Sequence, residues 1–120
     1  MKALILKQDL SGEFWTQERC YIIESANASN DILSIARVRV EPGITTSLHA
    51  IEDTDERYII AEGRGRVEVG ELAAQDVGPG DVVLIPAGVP QRITNIGETD
   101  LIFYCVCTPP FRQPAYRQLE

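Results

Sequence analysis

The 120-residue sequence has no long run of apolar residues. Its N-terminal run, Ala3 to Leu6, is far too short for the core of a signal peptide or for a membrane span, which needs about 20 apolar residues. We therefore expect a cytoplasmic protein. Basic residues are also scarce, with 11 Lys and Arg against 18 Asp and Glu and a formal net charge of −7. This charge repels phosphate backbones and anionic lipid, so we expect neither nucleic acid nor membrane among the partners.

Cysteine is too sparse and too badly spaced to predict a disulfide framework. Cys105 and Cys107 are two residues apart on a predicted strand, so they share a face but cannot readily bridge. Cys20 is left without an obvious partner. The Cys-x-Cys pair could bind a soft metal ion, but we favour two small buried apolar side chains.

The sequence also lacks internal repeats, low-complexity tracts and linkers, which predicts one domain over residues 1–120. Its 44% hydrophobic and 24% charged residues are ordinary for a globular protein. Short β-rich runs are broken at close intervals by Gly, Pro, Asn and Asp, which indicates an all-β sandwich or barrel. The predicted strands are Ala3–Lys7, Arg19–Glu24, Ile32–Val40, Thr46–Ile51, Arg57–Glu62, Gly65–Val69, Leu72–Gln75, Asp81–Ile85, Gln91–Thr94 and Leu101–Cys107.

Helix is nearly absent from this prediction. The one candidate is the tail, where Pro114 could begin a short helical turn that runs to Leu119. A turn is predicted between Ser25 and Asp31. Several strands are apolar on both faces, as in the run Val82 to Ile85, and such strands are covered on both sides. This pattern is a first indication of oligomerisation.

Two stretches of the sequence carry a recognisable spacing. The first is Gly43-x5-His49-Ala50-Ile51-x4-Glu56-x6-Gly63, and the second is Gly80-x5-Pro86-Ala87-Gly88-x2-Gln91-x3-Asn95. Sixteen residues separate them. Side chains two apart on a strand project to one face, so a His-x-His pair can offer two imidazoles to one ion. A carboxylate and an imidazole from neighbouring strands can complete such a cluster.

These stretches resemble the two signature motifs of the cupin superfamily, G-x5-H-x-H-x3,4-E-x6-G and G-x5-P-x-G-x2-H-x3-N. The resemblance implies a double-stranded β-helix, or jelly-roll, barrel with a pocket for a divalent metal such as Zn, Fe, Ni or Mn. His49 and Glu56 match two of the four ligand positions, whereas Ile51 and Gln91 replace the other two histidines. Ile51 offers no ligand atom, and the amide oxygen of Gln91 is a weaker ligand than imidazole.

We therefore predict a metal site of His49, Glu56 and Gln91, with Tyr58 or an uncoordinated Glu56 handling protons. The same residues have simpler interpretations. A lone histidine is often part of a hydrogen-bonded core, Glu56 closes an acidic loop, and Gln91 could recognise a substrate instead of a metal ion. The sequence leaves open which face of the last strand lines the pocket, that of Phe103, Cys105 and Cys107 or that of Tyr104.

Three functions follow from the resemblance. The first is a metal-dependent enzyme of the dioxygenase, isomerase or lyase class. The second is a non-catalytic cupin that binds a metabolite or sugar. The third is a metal-free epimerase or isomerase that works by acid–base catalysis. All three act on a small organic ligand. The predicted strand Ala3–Lys7 lies outside the motif-bearing barrel, and in small cupins such strands commonly pair across a dimer, so we also expect a homodimer. Phe14 and Trp15 precede the barrel and are expected over its mouth or against a neighbouring subunit.

Overall fold

The computed structural model describes residues 1–28 and 31–120. Within them, the chain forms β-strands and two single-turn 3-10 helices, Leu10–Gly12 and Gln113–Ala115. The strands are β1 (Phe14–Trp15), β2 (Tyr21–Ala26), β3 (Ser34–Val40), β4 (His49–Ile51), β5 (Asp55–Glu62), β6 (Gly65–Val69), β7 (Gln75–Val77), β8 (Val82–Ile85), β9 (Gln91–Asn95), β10 (Leu101–Thr108) and β11 (Tyr116–Gln118). The all-β prediction is confirmed.

The strands form two antiparallel sheets that face each other as a jelly-roll barrel. One sheet has the order β1-β2-β3-β10-β5-β8, and the other has the order β11-β4-β9-β6-β7. Alternation along each strand decides which side chains point into the barrel. In β5, Glu56, Tyr58 and Ile60 are buried, whereas Ile59 between them is exposed. The deepest apolar side chains, among them Phe103, Ile93, Leu101 and Val40, pack together in one hydrophobic core.

Gly63 shows why the spacing of the first motif requires glycine. It has a φ of +83°, which side-chain-bearing residues rarely adopt, and it lies against the β9–β10 turn. A Cβ atom on Gly63 would be 2.6 Å from the backbone oxygen of Asp100. The end of β5 can therefore approach this turn only where the side chain is a hydrogen.

The predicted N-terminal strand Ala3–Lys7 is wrong for the single chain, which has no regular structure there. Leu4, Ile5 and Leu6 are 76%, 79% and 59% exposed, and no strand of the described residues pairs with them. A strand needs a partner for its backbone hydrogen bonds, which apolar alternation alone does not supply. The predicted strand Leu72–Gln75 is displaced as well, because Leu72 belongs to the turn that joins β6 to β7.

The tail forms a strand where the sequence predicts a helical turn to Leu119. The turn ends at Ala115, and β11 then pairs with β4. Two short elements, β1 and β11, carry no alternation that could have predicted them. The predicted turn Ser25–Asp31 begins inside β2, and its residues 29 and 30 lie outside the described residues.

Candidate functional site

The three predicted metal ligands meet inside the barrel, between the two sheets. His49 of β4 and Gln91 of β9 are direct partners across the strand pair. Glu56 reaches them from β5 in the opposite sheet, and Gln91 Nε2 donates a hydrogen bond of 2.6 Å to Glu56 Oε1. His49, Glu56 and Gln91 are 3%, 6% and 1% exposed. Ile51 lines the same space, so the motif register predicted from the sequence is the one that the fold uses.

Gln91 is hydrogen-bonded to two neighbours, through its amide oxygen and its amide nitrogen. The hydroxyl of Tyr58 donates to Gln91 Oε1, while the amide nitrogen donates to Glu56. These contacts form a buried hydrogen-bonded chain, Tyr58–Gln91–Glu56. The amide oxygen accepts the Tyr58 hydrogen bond with one of its two lone pairs, so a metal ion at this atom would have to share it with Tyr58.

Glu56 is a carboxyl group without a cationic partner. Burial raises its pKa above the usual value, against the opposing effects of the Gln91 hydrogen bond and of His49. Cys107 Sγ lies 3.7 Å from Glu56 Oε2. Burial also raises the pKa of the Tyr58 hydroxyl well above its usual value. The hydroxyl therefore stays protonated and donates a hydrogen bond to Gln91.

His49 faces the cavity with one nitrogen free. Its Nδ1 lies 2.8 Å from the backbone oxygen of Ser47, and because a carbonyl can only accept, Nδ1 carries the proton. With Nδ1 as the donor to Ser47, the Nε2 atom is the ring nitrogen left to face the cavity, and it carries a lone pair whenever the ring is unprotonated. The nearest charged group is Glu18 Oε2 at 3.8 Å, which is too far for a direct hydrogen bond. The ring stacks on Tyr116 with a centroid distance of 5.1 Å.

Glu18 and Tyr116 are functional candidates that the sequence analysis missed. Glu18 precedes β2, held by a bond from the Ser47 amide to its backbone oxygen and followed by Arg19 with a φ of +68°. Burial raises the pKa of its carboxyl, while His49 lowers it. The Tyr116 hydroxyl oxygen is buried and has no hydrogen-bond partner in residues 1–28 and 31–120. Neither residue belongs to a motif, so no spacing in the sequence could have found them.

A cavity of about 150 Å³ opens beside these groups. Phe103, Cys105 and Cys107 line it, which settles the face of β10, whereas Tyr104 points outward toward Gln8. Phe14 also lines it, and Trp15 packs outside against Tyr21. The polar lining residues are Thr16, Gln17, Glu18, Glu24, Ser34, Thr46, His49, Glu56, Tyr58, Gln113 and Tyr116, together with the three cysteines.

The cysteines behave as buried apolar groups. Burial raises the pKa of Cys20 to about 12, and the pKa values of Cys105 and Cys107 are also raised, with burial as the main cause. All three are free thiols. Since the thiolate is the form that binds metal, these environments do not favour a soft-metal site.

The residues present do not fit a divalent-metal centre of the type that the motifs imply. Ile51 has no donor atom, and Gln91 offers only a neutral amide oxygen that already accepts a hydrogen bond from Tyr58. Within the described ranges, no group of three or more His, Cys, Asp or Glu side chains is arranged to hold a metal ion. The ligand roles of His49, Glu56 and Gln91 stay a prediction.

The comparisons with known proteins agree with this fold. The chain belongs to the cupin family, whose Cupin_2 domain model matches residues 36–107. An uncharacterized protein of Methanocaldococcus jannaschii is 36% identical over 87 residues, covering 72% of this chain and 69% of that protein. Metal binding is frequent in the superfamily. No helix of the described residues is both long and apolar enough to cross a membrane.

Two solved structures relate the fold to oxalate decarboxylases at a distance. The formate complex of Lactobacillus farciminis oxalate decarboxylase superimposes with a TM-score of 0.77 at 24% identity, over 89% of this chain. This chain spans only 33% of that protein, and the likeness shows the fold alone. A predicted oxalate decarboxylase of Thermotoga maritima gives a TM-score of 0.69 at 27% identity, covering 75% of this chain and 80% of that one.

The raised pKa of Glu56 predicts how stability depends on pH. The native state holds this proton more tightly than the unfolded chain does, whose glutamate pKa is about 4.3. The resulting stabilisation is fully present below about pH 4 and is lost as the pH rises through the folded-state pKa. Glu56→Gln keeps the shape and the Gln91 partner but cannot ionise. Its free energy of unfolding should therefore decline less between about pH 4 and pH 8, by about 1.4 kcal/mol for each pH unit separating the two pKa values.

Urea unfolding over this pH range measures the difference. Glu71→Gln is the matched control, because it removes the same charge from an exposed turn and should keep the pH dependence of the parent. A Glu56→Gln variant with the same pH dependence as the parent would contradict a buried, proton-holding carboxyl at this position.

Proposed function

We propose that this cupin domain binds a small organic molecule in the barrel cavity and acts on it through His49 and Glu18, without a metal ion. The observation that carries the proposal is the free Nε2 of His49. This nitrogen lies in a cavity wall, and its ring is oriented by the Ser47 oxygen. An oriented imidazole with one lone pair facing a cavity is the arrangement of a general base.

Glu18 gives this histidine a proton partner. The two atoms are 3.8 Å apart, so a ligand atom to one side of the pair can be within hydrogen-bond distance of both and exchange protons with them. The pair supports acid–base chemistry of the isomerase or lyase type. Tyr58 and Glu56, the catalytic residues predicted from the sequence, are engaged with Gln91, and in this proposal they hold the cavity wall in place.

Filling the cavity tests the proposal. Ala36 lines the cavity on β3, and Ala36→Leu would place a larger side chain in the space that a ligand needs. In ligand-observed NMR against a set of neutral, cationic and anionic organic fragments, we expect binders of roughly millimolar affinity to the parent and at least about tenfold weaker binding to Ala36→Leu. His49→Phe keeps the stacking on Tyr116 but removes Nε2, and should weaken the polar fragments alone.

Ala61→Leu is the matched control, since Ala61 is exposed on the opposite face of β5. It should bind every fragment as the parent does. Fragments that bind equally well to Ala36→Leu and to the parent would contradict a ligand site in this cavity, as would the absence of any binder.

The retained pair His49 and Glu56 favours metal binding as a second candidate, and the two substituted positions provide its test. Ile51→His together with Gln91→His would place three imidazoles and one carboxylate on the four motif positions. We expect the Zn²⁺ affinity of this double variant, measured by calorimetry, to exceed that of the parent at least about 10–100-fold. Without metal it should be less stable by about 1–3 kcal/mol, because a buried polar ring is left unpaired.

Adding His49→Ala to the double variant should return the affinity toward that of the parent. A parent that already binds Zn²⁺ as tightly as the double variant would show that the amide and the isoleucine do not limit the site. The metal-free proposal for His49 and Glu18 would then be wrong.

We also propose that the chain is a homodimer, through surfaces that the single chain leaves uncovered. On the outer face of the six-stranded sheet, Ile59, Val82 and Leu84 are 42%, 55% and 66% exposed. They lie on β5 and on the edge strand β8, where Ile59 and Val82 are direct partners. The exposed segment Ala3–Lys7 of a second copy offers apolar side chains and free backbone groups to such an edge.

Light scattering should give the mass of a dimer for the parent and of a monomer for Leu84→Glu. Leu72→Glu is the matched control, because Leu72 is 67% exposed in the β6–β7 turn, away from this face, and it should stay dimeric. Deletion of residues 1–7 should also give a monomer. A parent of monomer mass at micromolar concentration would contradict the proposal.

A further inference from the structure

The cavity wall carries several carboxyl side chains. Glu18, Glu24 and Glu56 line it, and none of the described lining residues is Lys or Arg. The nearby guanidinium groups are engaged elsewhere. Arg19 bonds to Glu120 at 2.6 Å, and Arg39 bonds to Glu13 at 2.7 Å under the ring of Tyr21. A carboxylate or phosphate in this cavity would lose its hydration without gaining a cationic partner.

Three hydrogen-bonding atoms beside this wall have no hydrogen-bond partner among residues 1–28 and 31–120. Nε2 of His49 offers a lone pair in the unprotonated ring, because Nδ1 is the nitrogen that donates to Ser47. Glu18 Oε2 lies 3.8 Å from that nitrogen, so the two atoms do not satisfy each other. The hydroxyl oxygen of Tyr116 is buried without a partner, and its ring stacks on that of His49. A side chain as buried as His49 normally has both of its nitrogens satisfied.

We infer that the ligand of this cavity is a compact organic cation, a primary amine with an apolar body. The inference rests on the proposed binding function and names the class of molecule that the cavity accepts. An ammonium group has three N–H donors, which match the His49 lone pair, the Glu18 carboxylate and the Tyr116 oxygen. Charge-assisted hydrogen bonds of this kind are the strong ones.

The rest of the lining suits the body of such a molecule. Phe14, Ile22, Val38 and Phe111 provide apolar walls. Aromatic faces attract cations, so the rings that line the cavity favour an ammonium group over a neutral one. Oxalate, a dianion, is of the opposite class and should be rejected by this cavity.

The test uses three probes of equal length and different charge: butylammonium, butanol and butyrate. At neutral pH, NMR titration of the parent protein should give the tightest binding for butylammonium, at least about tenfold tighter than for butyrate, with butanol between them. The resonances of His49 and Tyr116 should move during the butylammonium titration. Oxalate should leave them unmoved.

Glu18→Gln keeps the shape of the wall and removes its charge, so it should lower the affinity for butylammonium about tenfold and leave that for butanol unchanged. Glu71→Gln, with the same loss of charge on an exposed turn, should bind all three probes as the parent does. Tyr116→Phe should weaken butylammonium several-fold without lowering the stability of the free protein, because the hydroxyl has no partner to lose.

The outcomes separate the inference from the function that it rests on. Butanol and butyrate binding as tightly as butylammonium would overturn the cation class and leave the binding function intact. A preference for butylammonium that survives Glu18→Gln would also overturn the inference, because the carboxylate would not be its cause. If none of the three probes binds, the proposed function and the inference both fail.

Discussion

The hydrogen-bonded chain Tyr58–Gln91–Glu56 joins the two sheets across the interior of the barrel, and the candidate site depends on it. Tyr58 and Glu56 belong to β5 of one sheet, and Gln91 belongs to β9 of the other. The Tyr58 hydroxyl and an N–H of the Gln91 amide both find acceptors in the chain, so three buried polar side chains are joined directly. In a barrel with the full motif set, a metal ion would connect the same strands. Here a neutral amide and a carboxyl group connect them.

Gln91 and Ile51 stand where the motifs have histidines, so His49 has no neighbouring imidazole, and it lines the cavity. Gln91 lies opposite His49 but bonds to the other sheet, and Ile51 provides only an apolar surface. The free Nε2 therefore meets groups that the motifs do not contain. Glu18 arrives from the segment before β2, and Tyr116 arrives from the short edge strand β11. Two of the polar groups beside His49 thus come from opposite ends of the chain.

The first and last segments of the chain are held together where they meet the site. Arg19 bonds to Glu120, and the same carboxylate accepts the Leu48 amide at 3.0 Å, one residue before His49. Ser47 bonds to the backbone oxygen of Glu18 through its amide and directs the His49 ring through its own oxygen. A short backbone segment, Ser47–His49, therefore couples the position of the acidic wall to the orientation of the imidazole.

The sequence by itself determined the barrel and the inward positions of the motif residues. Glycines such as Gly63 are needed at close backbone approaches, and residues two apart on a strand share a face, so spacing alone located His49, Ile51, Glu56 and Gln91. Tertiary structure decided the rest. The hydrogen bonds of Gln91 depend on partners that are distant in the sequence. The positions of Glu18 and Tyr116 depend on short or irregular segments whose sequences have no periodicity. The predicted strand Ala3–Lys7 failed for the same reason, since local pattern supplies apolar side chains but a strand exists only with a neighbour to bond.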